Sequence, residues 1–360
     1  MHKLLSFIVT FHNGKDYIGD CLDSLLEQDI PKDEYEIIIV DDCSDPEYGI
    51  DIINKYEDIH SNVFVIHNEK NLRTGASRNK GVMEAHGEYV WFIDQDDFIE
   101  KNSVRSLIEK CKNNSLDILY FDFIKWPSNV YAQTQETHIS YDSSILSGIE
   151  LIDYLSKSIW GKNNYFVFLW HALYNRDFLI ANNIWNPEIY AHEDVVFSFQ
   201  SLISAKRTMA VNKVLYYYRQ VESSDFHKLY NIKAKAIFCG SLVIGDEFLK
   251  LAESIMDKSP TLSNELHDSA IFAFNRFTKG LLSIQKNEKK DFFKLLDNYE
   301  DHSYEKWISP FNKFLLNHRC GVIHFSHVLH IIWFFLRKTG YSYIYDGSKL
   351  NKNSYINGRS

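Results

Sequence analysis

Five apolar runs within the first 125 residues constrain this chain most: LLSFIVTF from Leu4, YEIIIVDD from Tyr35, NVFVIHN from Asn62, EYVWFID from Glu88 and LDILYFDF from Leu116. Their apolar residues are continuous rather than alternating, so strands built from them need cover on both faces. The stretches between them have helical spacing. Tyr17, Ile18, Cys21, Leu22, Leu25 and Leu26 share one helix face. Ile50, Ile53 and Tyr56 mark a short helix, residues 75–85 another, and Val104, Leu107, Ile108 and Cys111 a further one. Strands alternating with helices predict a parallel sheet layered between helices, and such a sheet binds ligands at the carboxyl ends of its strands.

Those ends carry the chain's polar chemistry. The first strand ends in Thr10, Phe11, His12 and Asn13, the second in Asp41 and Asp42, and the third in His67 and Asn68, with Asn71 close behind. The fourth ends in Asp94, Gln95, Asp96 and Asp97. Acids and amides delivered to one edge by four strands imply a ligand cleft. Asp94 and Asp96, one residue apart, suit Mg²⁺ or Mn²⁺, which prefer oxygen ligands. A turn with helix capping near Ser103 is the plain alternative for Asp96 and Asp97.

Composition narrows the class. At 360 residues and 45% hydrophobic content the chain exceeds one average domain and has ample material for a core. A formal charge of −9 without a dense Lys/Arg cluster excludes a nucleic-acid face. Cys21, Cys43, Cys111, Cys239 and Cys320 are scattered, without a Cys-x-x-Cys pair, which excludes a disulfide framework or zinc site and suits a reducing cytosol. The first run leads into HNGKD without a small-residue cleavage site, so it is expected to be a strand and not a signal peptide. The turn after it lacks Gly-x-Gly-x-x-Gly, which disfavours a dinucleotide-dependent dehydrogenase.

Four of these segments, FIVTFHN, IIIVDDCSD, NLRTGASRNKG and YVWFIDQDD, together resemble in order and spacing the motifs of the inverting family 2 glycosyltransferases of bacterial surface-polysaccharide type. The resemblance is strong over residues 4–125, fair over 165–225 and weak beyond. It implies a GT-A, Rossmann-like α/β fold with a mostly parallel sheet flanked by helices and a C-terminal, mainly helical extension. It further implies a nucleotide pocket lined by Thr10, Phe11 and Asn13. Asp41 would accept a hydrogen bond from the N3–H of uracil. Asn71 and Arg78 would lie near base and ribose, and Asn79 would brace the loop. Asp94 would reach the ribose and, with Asp96, the metal, while Gln95 completes the donor site. Asp97 would support the turn or cap a helix. The chain departs from the family at Arg73, where Gly is usual, and at Ser77, where Ala is usual. Arg73 would reach a phosphate or an acceptor acid, or else point to solvent.

The segment YAHEDVVFSFQ places Glu193 and Asp194 at the start of an amphipathic helix. Acids there stabilise a helix dipole. The resemblance implies instead that Asp194 is the catalytic base and Glu193 orients the acceptor or the loop. It also puts Arg219, after the strand VLYYYRQ, near the pyrophosphate, with His227 close to the metal in some relatives. Trp170 and His171 would border the acceptor. The stretch 148–204 otherwise has a mainly helical pattern, and 126–147 an irregular one.

The organisation expected is a GT-A domain over 1–225, with a nucleotide-binding half over 1–125 and an acceptor half over 126–225. A helical extension follows over 226–345, with helices at 232–251, 266–284 and 292–299, and a disordered tail over 346–360. Residues 321–338 project as an amphipathic helix, open to two readings: peripheral contact through 320–338 with the inner face of the cytoplasmic membrane, or internal packing. The expected activity is metal-dependent, inverting transfer from a UDP-sugar to an oligosaccharide, polysaccharide or lipid-linked acceptor in capsule, LPS or exopolysaccharide synthesis. The expected location is cytoplasmic, and self-association stays open. A catalytically silent nucleotide-sugar-binding subunit is the competing reading, which the acids at 94, 96, 193 and 194 oppose.

Overall fold

The structure, a computed structural model, describes residues 3–127, 144–155, 168–189, 192–220 and 234–283. The strands β1 (Lys3–Phe11), β2 (Tyr35–Asp41), β3 (Val63–His67) and β4 (Gly87–Asp94) are the first four apolar runs. Helices α1 (Ile18–Leu26), α2 (Ile50–Ile59) and α3 (Arg73–Glu84) connect them. β1 pairs in parallel with both β2 and β4, and β2 in parallel with β3. Phe7, Ile8, Val9, Ile37, Ile39, Trp91 and Ile93 are fully buried, as two-sided cover requires. Gly81 lets α3 lie close on the sheet: a Cβ there would stand 2.4 Å from Ile8 Cγ2.

The second half is mixed rather than parallel. The elements are β5 (Phe98–Ile99), α4 (Val104–Asn113), β6 (Ile118–Trp126), α5 (Gly148–Leu155), β7 (Ala172–Asn175), α6 (Arg176–Ala181), α7 (Glu193–Ser204) and β8 (Thr208–Arg219). The order across the sheet is β3-β2-β1-β4-β7-β6-β8-β5. β7 runs antiparallel to β4 and β6, whereas β6 and β8 are parallel to each other. The expected helical stretch 148–204 therefore contains a strand. Ala172, Leu173 and Tyr174 are buried and apolar, but four residues are too few for periodicity to separate strand from helix.

The chain divides into two compact units, residues 1–228 with 251–266, and 229–250 with 267–360. Helices α8 (Ala234–Ile255) and α9 (Pro260–Ser283) fall where helices are expected. Within the first unit their facing ends bury Ala252, Ile255, Leu262 and Leu266, and Ser263 donates to the Ala252 carbonyl at 2.8 Å. The expected helices at 292–299 and 321–338, the tail, and His227 lie outside the described residues. No described helix is long and apolar enough to cross a membrane.

Candidate active site

Register alone assembles the cleft. Phe11 pairs with Asp41, Thr10 with Asp94, and Asp41 with His67, so the ends of four parallel strands stand side by side. This is the edge where such sheets bind ligands, next to the central β1.

The acid turn after β4 is held chiefly from β8. Asp97 is fully buried: Tyr216 Oη donates to its Oδ2 at 2.7 Å, and the Arg219 backbone N–H to its Oδ1 at 2.7 Å. Tyr216 Oη also accepts from the Asp94 backbone N–H at 3.2 Å. Arg219 Nε donates to the Asp96 carbonyl at 2.8 Å and Nη2 to Asp20 Oδ2 at 3.1 Å, while its guanidinium lies over the rings of Tyr17 and Phe98. Asp96 and Asp97 thus leave the cap of α4 alone; Ser103 stands there without a side-chain cap bond. Burial, then repulsion from Asp94, pushes the Asp96 carboxyl up to about 6. Burial, Asp96 and Asp94 also raise Asp97 well above the carboxylate range.

Arg78 on α3 links this turn to the second half of the chain. Its Nη2 donates to Asp94 Oδ1 at 2.7 Å and its Nη1 to Glu193 Oε1 at 3.0 Å, and the side chain is only 5% exposed. Burial alone would lower the guanidinium, but Asp94 and Glu193 outweigh it and keep it charged. Gly75, one turn earlier on α3, admits the neighbouring segment: a Cβ there would meet the Pro187 carbonyl at 3.0 Å and Glu193 Cγ at 3.1 Å. Asn79 secures the same contact, donating to the Asn186 carbonyl at 2.8 Å and accepting from its N–H at 2.9 Å. Asp194 follows at the start of α7, with Oδ1 accepting from the Val195 N–H at 2.9 Å. Burial first, then Glu193, pushes its carboxyl up to about 7 against the lowering pull of Arg78, and Asp94 adds to the rise.

The other expected positions lie at the β1–β2–β3 side. Asp41 is 3% exposed; its Oδ1 accepts from the Ser44 N–H at 3.0 Å and its Oδ2 lies 2.8 Å from His67 Nδ1. Asn13 sits at φ 52°, its Oδ1 accepting from the Asp45 N–H at 2.9 Å. Asn71 is exposed, with Nδ2 at 3.4 Å from His12 Nε2. Thr10 is half-buried and Phe11 buried. Asp42 fixes the start of α3, accepting from the Leu72 and Arg73 N–H groups, each at 2.7 Å. This holds Arg73 at φ 74°, the conformation that explains why Gly is usual there.

Three expectations change. Arg78, expected near base and ribose, is buried with Nη1 on Glu193 and Nη2 on Asp94. Gln95 has its amide committed to the His12 backbone, accepting from its N–H at 2.7 Å and donating to its carbonyl at 3.1 Å. Trp170 and His171 are core residues, 4% and 0% exposed, with His171 Nδ1 3.1 Å from the Phe121 carbonyl. Sequence reading missed Tyr216, and it placed Asp42 and His67 at strand ends without giving them a partner. The alternation in VLYYYRQ could have shown that Tyr216 and Tyr218 share a face, but nothing local joins Tyr216 to an acid 119 residues away.

The donor chemistry fits a divalent cation. Asp96 carries unbalanced negative charge beside Asp94, and both offer hard oxygen ligands. Among the described residues no three His, Cys, Asp or Glu groups form a closed metal cluster. Mg²⁺ and Mn²⁺ commonly take one or two carboxylates and complete their shell with water and substrate phosphate.

Sheet order, strand-end acids and flanking helices define an α/β fold of the GT-A type. The family model "Glycosyl transferase family 2" matches residues 6–181. It is 29% identical to the uncharacterized glycosyltransferase EpsJ of Bacillus subtilis over 228 residues, 62% of this chain and 63% of that protein. It is 31% identical to a poly(ribitol-phosphate) beta-glucosyltransferase of Bacillus spizizenii over 221 residues, 59% of this chain and 32% of that one. The chain thus spans less than two thirds of the length of these curated relatives. The crystal structure of S. aureus TarS 1–349 in complex with UDP-GlcNAc superposes with a TM-score of 0.61 at 21% identity, covering 94% of this chain and 92% of that one, and so shares the fold.

Proposed function

We propose that this chain is an inverting glycosyltransferase that moves a sugar from a UDP-sugar to a hydroxyl group of a bacterial surface glycan on the cytoplasmic side of the membrane. One observation carries the reading: buried Arg78 ties Asp94 to Glu193, which sets Asp194, with its carboxyl near 7, beside the acid turn. The family-model match over residues 6–181 and the shared fold support it. So does a uridine nucleotide sugar in the TarS complex, together with the glucosyl transfer named for a relative.

In this reading Asp41 accepts the uracil N3–H with a lone pair left over from Ser44 and His67, while Thr10, Phe11, Asn13 and Asn71 surround the nucleoside. Asp96, with Asp94, would hold a Mn²⁺ or Mg²⁺ ion, and the chemistry it would supply is neutralisation of the leaving diphosphate. Arg78 fixes Asp94 and keeps the acid turn and α7 in register. Asp194 takes the proton from the acceptor hydroxyl as the oxygen attacks the anomeric carbon from the face opposite the diphosphate. A carboxyl near 7 divides between acid and base at neutral pH, which favours proton transfer. Tyr216 and the backbone of Arg219 keep the turn from shifting as charge moves.

The test combines the full chain, Mn²⁺ and UDP-glucose or UDP-N-acetylglucosamine with surface-glycan acceptors and follows UDP release and product anomer. Acceptor-dependent UDP release with an inverted product is expected. Retention at the anomeric carbon, or no stabilisation by UDP with Mn²⁺, overturns the reading.

A further inference from the structure

The sheet edge that holds the acids also carries a shelf of parallel aromatic rings that the transfer chemistry leaves unused. β7 runs against β4, β6 and β8, so it begins at the edge where those three strands end. Phe168 and Trp170, just before β7, therefore stand at the edge of Asp94–Asp97 and Arg219. Trp170 is fixed from below, where Trp91 Nε1 donates to its carbonyl at 2.7 Å. Its ring lies 4.4 Å from Tyr216 at 15° and 5.6 Å from Tyr218 at 5°. Phe168 stacks on it at 5.1 Å and 14°.

Exposure separates support from surface. Tyr216 is 0% and Trp170 4% exposed, while Phe168 is 37% exposed and Tyr218 is half-buried. The lower rings are core, and they hold Phe168 flat.

We propose that the open face of Phe168 is an acceptor subsite that seats a pyranose ring, so that the acceptor presents a ring-form sugar rather than an open-chain polyol phosphate. This rests on the transferase reading above and deepens it. A pyranose offers a flat array of C–H groups, and their slight positive charge meets the negative face of a π system. An open-chain polyol has no such face, and its phosphate is repelled by the same quadrupole and needs cationic forks instead. A shelf preset by stacking also orders few rotamers on binding, which suits a weak, repeating ligand.

Saturation-transfer NMR on the full chain with UDP and Mn²⁺ tests this, using methyl β-glucopyranoside and methyl N-acetyl-β-glucosaminide as probes and ribitol 5-phosphate as the contrasting arm. Saturation of ring C–H protons is expected for the pyranosides and none for ribitol 5-phosphate. Phe168→Ala should weaken pyranoside binding by about fivefold to tenfold, the range of one aromatic contact, while Phe168→Trp retains it. If Phe168→Ala fails to fold, as circular dichroism would show, Phe168→Leu decides: it keeps the apolar volume without the flat face, and it too should lose binding. Unchanged pyranoside binding in Phe168→Leu, absence of pyranoside binding by the wild-type chain, or equal binding of ribitol 5-phosphate overturns the proposal. Thermal shifts with UDP and Mn²⁺ test the donor site separately. A chain that seats pyranosides through Phe168 but ignores UDP would refute the transferase reading and leave the sugar subsite standing.

Discussion

Two pairs of neighbouring carboxylates meet at this sheet edge, and they are held in opposite ways. Asp96 and Asp97 follow a strand and are held in place by hydrogen bonds from β8, through the Tyr216 hydroxyl and the Arg219 backbone N–H to Asp97 and through Arg219 Nε to the Asp96 carbonyl. Glu193 and Asp194 open a helix and are balanced by one buried side chain, Arg78. Hydrogen bonds to the turn fix its shape without cancelling its charge, so Asp96 still rises to about 6. An ion pair to Glu193 offsets its charge only in part, and burial together with the field of Glu193 raises the enclosed Asp194 carboxyl to about 7. In the proposed function the first pair receives a cation and the second takes a proton. The contrast can be broken from either side.

The largest effect belongs to Asp194→Asn. An amide cannot accept the proton, so turnover should fall by about 10²–10⁴-fold, the usual worth of a general base. UDP binding, measured by thermal shift, should persist. The same variant should melt higher than wild type at pH 8. A carboxyl whose folded pKa lies above its unfolded value loses stability as pH rises through that window, here from about 4 to about 7, and the amide escapes this loss. Turnover close to wild type would remove Asp194 as the base.

Arg78→Ala attacks the balance itself. It leaves Asp94 and Glu193 facing each other without their shared cation, and breaking a buried pair typically costs about 3–5 kcal/mol. Urea unfolding should show that loss, and it should shrink in the Arg78→Ala/Glu193→Gln double variant, because one uncompensated charge is gone. A loss under about 1 kcal/mol would mean that the two acids are separately solvated.

The difference between the pairs also explains how much the sequence disclosed. Acids at strand ends are visible because continuous apolar runs locate the strands and charge interrupts them. The placing of Asp94 and Asp96 at a strand end was therefore legible, as was the parallel half of the sheet, where each strand is a long apolar run. The bridging was not. Arg78 reaches a partner 115 residues away, and nothing in RTGASRNKG distinguishes a buried cation from one facing a nucleotide. β7 and β5 are strands of four and two residues, too short to carry a period. Phe168 was read as part of a segment and not as a surface, because exposure is a property of the packed chain.

The pH profile is a gentler probe of the second pair. Activity needs Asp194 ionised, so kcat/KM should rise about tenfold per unit below an apparent pKa near 7 and level off above it. Glu193→Gln removes the neighbouring negative charge that raises Asp194, so the midpoint should move to lower pH. A midpoint that stays in place or moves up would show that Glu193 does not act on the base through its charge.

The smallest effect should come from Asp20→Asn, and its smallness is informative. Asp20 is 67% exposed and forms the one side-chain ion pair of Arg219 among the described residues. Exposed pairs contribute about 0–1 kcal/mol. The turn depends instead on the Arg219 backbone N–H, its Nε on the Asp96 carbonyl, and the Tyr17 and Phe98 rings that sandwich the guanidinium. The Mn²⁺ concentration for half-maximal activity should therefore stay within about twofold of wild type in Asp20→Asn. In Tyr216→Phe it should rise clearly, since the loss of that hydroxyl leaves the Asp97 carboxyl buried without one of its donors, typically at about 1–3 kcal/mol. If the two variants shift the Mn²⁺ dependence equally, the turn is set by charge at its rim, and the distinction between a hydrogen-bonded pair and an ion-paired one fails on the strand side.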